Sequence, residues 1–467
     1  MQRTLNRPLF LSSIVVVAAA ALACGRTPAP AVPAKDAPSM QPAAVHPAAA
    51  AAAAAAESSP ERALCLAEVK GDSAVEKLIK DGQRAIASNP LKMDFWIVLG
   101  RAWIEEARNT GDPGFYLHAD ACAQEVLKHE PDSKSAHNLR GLALMNDHKF
   151  AEAKELMQKM LDKDHEDVMA WGTLSDALLE LGDVDGSAKA LQEMMNRKPN
   201  MPSYARASYL DWLRGDEKGA LEAIRLAIDA GRGQRDPEPE AWTLTEAANI
   251  FWMRGDVPGS LAGYDRALQT KADHGPALVG KARCLIAQGK AADAVPLLEQ
   301  AFKKTPLVET AWWLSKAHEV LGDAVKADEW RKRAIDAGKE GDRRTLALLL
   351  ATVSSDPADV ALAQKSIDAD NAHRGGPYAD DVAALVAYRA ADLALARKKI
   401  DAAMALGTPD PRFALHKGVI VAAAGDKKAG KKLIDDALAR GLRFDPDAVA
   451  LAKEALATGG PAKEMHK

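Results

Sequence analysis

The stretch GDPGFYLHADACA, residues 111–123, gathers two aspartates, a histidine, a tyrosine and a cysteine within thirteen residues. Acid–base and nucleophilic catalysis draw on these side chains, so the stretch is the first candidate for an active site. Nothing else in the sequence completes one. His129, His165 and His318 each precede a glutamate, but Ser133, Met169 and Gly322 stand where H-E-x-x-H needs its second zinc ligand. The chain has no G-x-x-x-x-G-K-[ST] phosphate loop, no G-x-G-x-x-G and no G-x-S-x-G nucleophile elbow. Scattered histidines of this kind are surface or packing residues. The expectation is a protein that is not an enzyme, with no catalytic residue, no metal site, no cofactor and no small-molecule substrate. Lys427, Lys428, Lys431 and Lys432 read as the solvated face of a hairpin, with contact to anionic lipid as the alternative.

Composition narrows the class. The 467 residues, 48% hydrophobic and 27% charged, suffice for two or three globular domains or one extended repeat array. A net charge of −4, from 61 basic and 65 acidic residues, gives no footing for nucleic acid. Few aromatics (5%) and abundant alanine favour close-packed helices over a β-sandwich. Cys24, Cys65, Cys122 and Cys284 are too few to staple a fold, and no C-x-x-C occurs. Cys284, next to Leu285, reads as a small core residue. Cys65 and Cys122 are able to pair in an oxidising compartment and clip an N-terminal cap onto the first repeat of such an array, although the sequence leaves their separation open.

Self-comparison reveals the elements that position all these residues. Trp171-Gly172-Thr173-Leu174 opens a stretch running through Gly182-Asp183 to Pro199, and a unit beginning at His137 has the same layout 34 residues earlier. Gly255-Asp256, Tyr264 and Ala267 are answered 34 residues later by Gly289-Lys290, Leu298 and Ala301. This period and layout resemble the tetratricopeptide repeat, W-x-x-L-G-x-x-Y, then A-x-x-x-F, then P. Trp96, Leu99, Gly100 and Trp103 fill the first slots of one unit, and Trp171, Leu174, Leu178, Leu191 and Pro199 those of another. The resemblance covers residues 93–341 with about seven repeats. It implies an all-α fold, a right-handed superhelical solenoid of helix-turn-helix units with a concave groove. Residues 61–92, closing at Pro90, read as an N-terminal cap or half repeat. Residues 342–467 read as degenerate hairpins of the same kind and a C-terminal cap, with Gly418 in the small slot.

In this frame the opening stretch changes meaning. Gly114 takes the turn slot, Tyr116 the aromatic position that Phe150 fills one repeat later, and Ala119 and Ala123 the apolar slots of a second helix. Seven extra residues between Trp103 and Gly114 amount to two helical turns, so the first helix can lengthen without rotating its buried face away. The expected result is an elongated hairpin whose elbow projects above its neighbours, ready for a protein contact. A second irregularity, GRGQRDPEPEAW at 231–242, makes one junction six residues longer than the repeat requires. It reads as a surface insertion, with a pivot or a contact loop as alternatives.

The resemblance also implies a site. Tetratricopeptide arrays bind peptide or protein segments along the first helix of each unit. The corresponding slots hold Tyr209 and Trp212, then Trp242, Thr245, Asn249 and Trp252, then Arg283, then Trp312 and Lys316, with Arg206 beside them. Rigid aromatics supply contact area at low entropic cost, and Asn and Arg can bond an extended backbone. The paired Lys and Asn slots of the chaperone-type carboxylate clamp are not reproduced.

The N-terminus reads as a leader and a tether. Arg3 and Arg7 precede an apolar run from Ile14 to Ala23 that is shorter than a membrane span. Ala21-Leu22-Ala23 before Cys24 resembles the lipobox of bacterial lipoproteins, which implies a signal peptide over 1–23 and a lipid on Cys24. The same residues satisfy the A-x-A rule of ordinary signal peptidase, which would yield a secreted soluble protein. Residues 24–60 are rich in alanine and proline, including nine successive alanines from Ala48 to Ala56, and would serve as a disordered tether. The expected protein is a scaffold of the bacterial envelope, with its anchor in the outer membrane and its body in the periplasm. A non-catalytic subunit of an envelope enzyme or of a secretion or pilus complex is the alternative.

Overall fold

The structure is a computed structural model and describes residues 59–233 and 235–458. Cys24, the leader expected over 1–23 and the tether expected over 24–60 lie outside the described residues, except that Ser59 and Pro60 are ordered as the cap and first residue of a helix. Every regular element among those described is helical, which makes the fold an all-α solenoid. Two helices come first, α1 (Pro60–Cys65) and α2 (Ala74–Ser88). Hairpins follow: α3 (Met93–Thr110) with α4 (Gly114–His129), α5 (Lys134–Asn146) with α6 (Phe150–Lys163), and α7 (Val168–Glu180) with α8 (Val184–Arg197). The middle of the array pairs α9 (Met201–Leu213) with α10 (Glu217–Gly231), α11 (Glu238–Met253) with α12 (Val257–Thr270), and α13 (Gly275–Ala287) with α14 (Ala291–Lys304). Then come α15 (Val308–Val320) with α16 (Ala324–Glu340), α17 (Arg343–Val353) with α18 (Pro357–Asn371), and α19 (Pro377–Arg389) with α20 (Leu393–Ala403). The last hairpin is α21 (Pro411–Ala423) with α22 (Lys427–Ala439), and α23 (Pro446–Thr458) is the last described helix.

One local device recurs at the elbows. Gly182, Gly215, Gly255, Gly322 and Gly425 take positive φ, the left-handed step that stops the first helix. The next residue, Asp183, Asp216, Asp256, Asp323 or Asp426, caps the second helix by accepting a backbone N–H three residues on. Ala391 precedes Asp392 in the same geometry. Within the hairpins a buried serine repeatedly donates to a carbonyl of the opposite helix: Ser208 to Ala220 at 2.7 Å, Ser260 to Ala248 at 2.8 Å and Ser315 to Ala327 at 2.8 Å. The small slots are small for a reason. A Cβ on Gly280 would come 2.3 Å from the ring of Tyr264, which reaches it from the preceding repeat.

Two compact units are distinguished, one of residues 59–106 with 114–140, the other of 107–113 with 141–458. In the smaller unit Cys65 and Cys122 form a disulfide, with Cα atoms 4.9 Å apart. Trp103 is fully buried and donates through Nε1 to the Cys65 carbonyl at 2.9 Å. Phe115 stacks on Trp103 at 5.4 Å, and His118 lies 4.5 Å from the same ring with Nδ1 2.7 Å from the Leu64 carbonyl. The histidine and cysteine of the opening stretch are therefore occupied in fixing α1 to α4. The turn glycine there is Gly111, with φ 72°, rather than Gly114, which begins α4. α3 is 18 residues long, against 13 for α5 and α7, so the elongated first helix is present.

The larger unit winds back on itself. Gly111 at the α3–α4 elbow abuts Thr305, Gly182 abuts Gly375 and Gly376, Gly215 abuts Gly407, and Gly255 abuts Arg440 and Gly441. In each case an elbow meets a loop between repeats roughly 190 residues further on, between five and six 34-residue repeats away. Hydrogen bonds close these contacts. The Gly375 amide donates to the Glu180 carbonyl at 2.8 Å, and the Thr408 hydroxyl to the Leu213 carbonyl at 2.6 Å. Carbonyls at a helix C-terminus have no partner within their own helix, and the later loops supply one. Arg374 bonds the Glu180 carboxylate at 2.8 Å, and Arg440 bonds Glu217 at 2.7 Å. The tip of the elongated hairpin is held in the same way, by Arg108 to Asp236 at 3.0 Å and by Lys271 to Asn109 at 3.3 Å. Its contact is internal to the chain. Asp236 comes from the long junction at 231–242, so that insertion is a contact loop.

Candidate functional site

The residues picked as a binding wall lie on four consecutive first helices, α9, α11, α13 and α15, and the structure sorts them into three groups. The first is committed to the solenoid itself. Arg206 is buried and forms a bidentate pair with Asp176 of α7, at 2.8 and 2.6 Å, with a third bond to the Pro202 carbonyl. Thr245 is buried and donates to the Ala241 carbonyl of its own helix. Trp212 is 2% exposed and donates through Nε1 to the Tyr378 hydroxyl at 3.3 Å. Tyr209 is half-buried and packs on the same apolar core, and burial pushes its phenol well above the ordinary range.

The second group forms a polar and aromatic cluster on α11 and α13. The Arg283 guanidinium donates to Asn249 Oδ1 at 2.8 Å and to the Tyr264 hydroxyl at 2.9 Å, and reaches within 3.6 Å of Glu309. The Tyr264 hydroxyl in turn donates to Asn249 Oδ1 at 2.6 Å. The Trp252 ring lies 5.3 Å from the Arg283 guanidinium, within cation–π range. Glu246 stands one helical turn before Asn249 and accepts from its amide at 3.4 Å. Burial lifts Glu246 to about 7, against the opposing pull of Arg283. Trp242 is half-buried at the start of α11. Three of the residues picked from the sequence, Asn249, Trp252 and Arg283, thus come together, with Trp242 two turns earlier on α11. Glu246, Tyr264 and Glu309 join them without having been picked as groove residues. Glu246 was legible, because i to i+3 spacing places it on the face of Asn249.

The third group, Trp312 and Lys316 on α15, is engaged by the start of α23. Trp312 Nε1 donates to Asp447 at 2.6 Å, and Lys316 Nζ lies 2.7 Å from Asp445 and 3.7 Å from Asp447. Lys316 also sits over the Trp312 and Trp313 rings, at 4.1 and 4.4 Å. No spacing rule could have linked residues this far apart in sequence.

The cations and the amide of this wall are thus already paired within the chain, Arg206 with Asp176, Arg283 with Asn249 and Tyr264, and Lys316 with Asp445. The one thiol beside it, Cys284, is buried, and burial pushes it up to about 11, far from the thiolate that a nucleophile requires. Among the described residues no group of three or more His, Cys, Asp or Glu side chains is arranged to hold a metal ion.

Residues 144–208 and 251–329 match the tetratricopeptide repeat model. No curated protein matches the chain in sequence. Among solved structures, a tetratricopeptide repeat protein from Parabacteroides merdae is similar at 14% identity and a TM-score of 0.38, over 57% of this chain and 98% of that one. PilW, a type IV pilus biogenesis factor, is similar at 15% identity and a TM-score of 0.37, over 42% of this chain and 88% of its own. YrrB, described as a TPR protein with an unusual peptide-binding site, is similar at 14% identity and a TM-score of 0.29, over 45% and 97%.

Proposed function

We propose, from the premise that this chain is a tetratricopeptide-repeat solenoid, that it is a non-catalytic scaffold of the bacterial envelope. It holds peptide or protein segments against the first helices spanning 201–320, and a lipid on Cys24 tethers it to the membrane. The observation that carries the reading is the Trp252–Asn249–Arg283 cluster. It presents an aromatic face, an amide and a guanidinium together on the first helices of two neighbouring repeats. Export is supported by the Cys65–Cys122 disulfide, since such bonds persist in oxidising compartments. The anchor rests on the leader and on Cys24, and the Ala21-Leu22-Ala23 site keeps a secreted soluble form as the second reading.

Two experiments test this. A photo-crosslinking residue at Trp242 of the full chain, in cells, is expected to give discrete protein adducts that Asn249→Ala with Trp252→Ala removes. Adducts indifferent to that double change would overturn the wall. Replacing Cys24 by serine is expected to shift the protein from the membrane to the soluble fraction, and an unchanged distribution would rule out the lipid anchor.

A further inference from the structure

Part of the proposed binding wall is already occupied, by a short segment of the chain itself. After α22, Gly441 takes φ 119° and Leu442–Phe444 make a single 3-10 turn that leads into α23. The Phe444 ring lies 6.5 Å from Trp252. Asp445 reaches Lys316 at 2.7 Å, and Asp447 accepts from Trp312 at 2.6 Å. Three residues that sequence alone marked as binding slots, Trp252, Trp312 and Lys316, are thus filled by Phe444, Asp445 and Asp447.

The chemistry of that fit is specific. The Lys316 side chain is 3% exposed, and a buried ammonium is costly unless paired. Two indole rings flank it, so the open direction calls for a carboxylate. Asp445 meets that demand while also capping α23, accepting from the Asp447 and Ala448 amides at 3.1 and 3.4 Å. The recognised unit is therefore an aromatic residue followed directly by an acidic helix start, Phe-Asp-Pro-Asp.

We propose that the Phe444–Asp447 stretch at the start of α23 is an internal ligand, and that the partner of the Trp252–Trp312–Lys316 wall is a protein segment of the same aromatic–acidic chemistry, which displaces it while the buried Ala448, Leu451, Ala452 and Ala455 keep the rest of α23 in the core. This rests on the reading of the first helices as the binding wall. An occupant tethered to its own site competes at high effective concentration. A partner therefore binds with an affinity reduced by the fraction of molecules in which the segment is released.

The test uses full-length protein and a labelled peptide copying residues 440–458, followed by fluorescence anisotropy. Phe444→Ala with Asp445→Asn and Asp447→Asn is expected to tighten peptide binding at least ten-fold over the parent. Adding Lys316→Glu is expected to abolish that gain. Equal binding by parent and triple variant, or a gain that survives Lys316→Glu, would overturn the proposal. Hydrogen exchange on the unaltered protein guards against misfolding of the variants. Amides of 442–447 are expected to exchange at least ten-fold faster than those of α21 and α22, and exchange in step with those helices would make the segment permanent core and overturn the proposal. Crosslinked clients at Trp242 that persist while the peptide ignores Lys316 would remove this inference and leave the scaffold reading standing. Loss of both would remove the two together.

Discussion

The elbows of the larger unit fall into two sets with the same local design and different surroundings. Those at Gly182, Gly215 and Gly255 press against backbone of a later loop, whereas nothing lies within 4 Å of a Cβ placed on Gly289, Gly322 or Gly425. Both sets use positive φ, and most carry the same aspartate cap. At the open elbows glycine answers only to its own turn. At the covered elbows it also lets two parts of the chain approach closely enough to share hydrogen bonds. Beside the open elbow at Gly322 two apolar side chains face solvent, Val325 70% exposed and Val320 48%.

The largest effect should come from Gly215→Ala, whose Cβ would sit 2.7 Å from the Gly407 carbonyl at φ 80°. A clash with backbone adds to the left-handed strain, and a loss of about 3 kcal/mol or more is expected by urea denaturation. Gly289→Ala should lose only about 1 kcal/mol, the cost of the turn alone. Equal losses at the two elbows would mean that the winding contact contributes nothing.

Acid should weaken the covered side. His148, at the elbow preceding Gly182, is held down to about 4 by burial first and then by Arg374. An unfolded chain binds that proton near the ordinary histidine value, so stability falls as pH drops from about 6.5 toward 4. His148→Asn is expected to flatten melting temperature over that window while keeping the positive φ that His148 adopts. An unchanged acid slope would exclude His148 as its source.

A smaller change is expected at the elongated hairpin. Asp236→Asn removes one charge of a partly exposed pair with Arg108, and about 1 kcal/mol or less should be lost. Proteolysis near 107–113 should accelerate in step with that loss. The smallest effect belongs to the open elbow at Gly322. Val325→Ser should leave the denaturation midpoint within about 0.5 kcal/mol of the parent, and a larger loss would show that the open elbow is covered in solution.

The sequence was informative wherever structure depends on residues a few positions apart. The Gly-Asp elbows, the Tyr264 ring against Gly280 and the lengthened α3 each follow from spacing within one or two repeats. The wall was legible in part. Trp252, Asn249 and Arg283 converge because equivalent slots of adjacent repeats face the same way. Arg206 and Trp212 follow the same slots, yet Asp176 and Tyr378 claim them. A slot pattern records which way a side chain points, and it carries no information about what arrives from far along the chain.

By itself, then, the sequence determined a helical repeat array, its elbows and caps, and a row of aromatic and charged residues along the first helices. The tertiary structure alone decided which elbows are covered, where the projecting hairpin makes its contact, and that Phe444, Asp445 and Asp447 fill the slots of Trp252, Trp312 and Lys316. The physical reason is curvature. Each repeat turns by a small angle against the last, and only the sum of many such angles brings distant loops together.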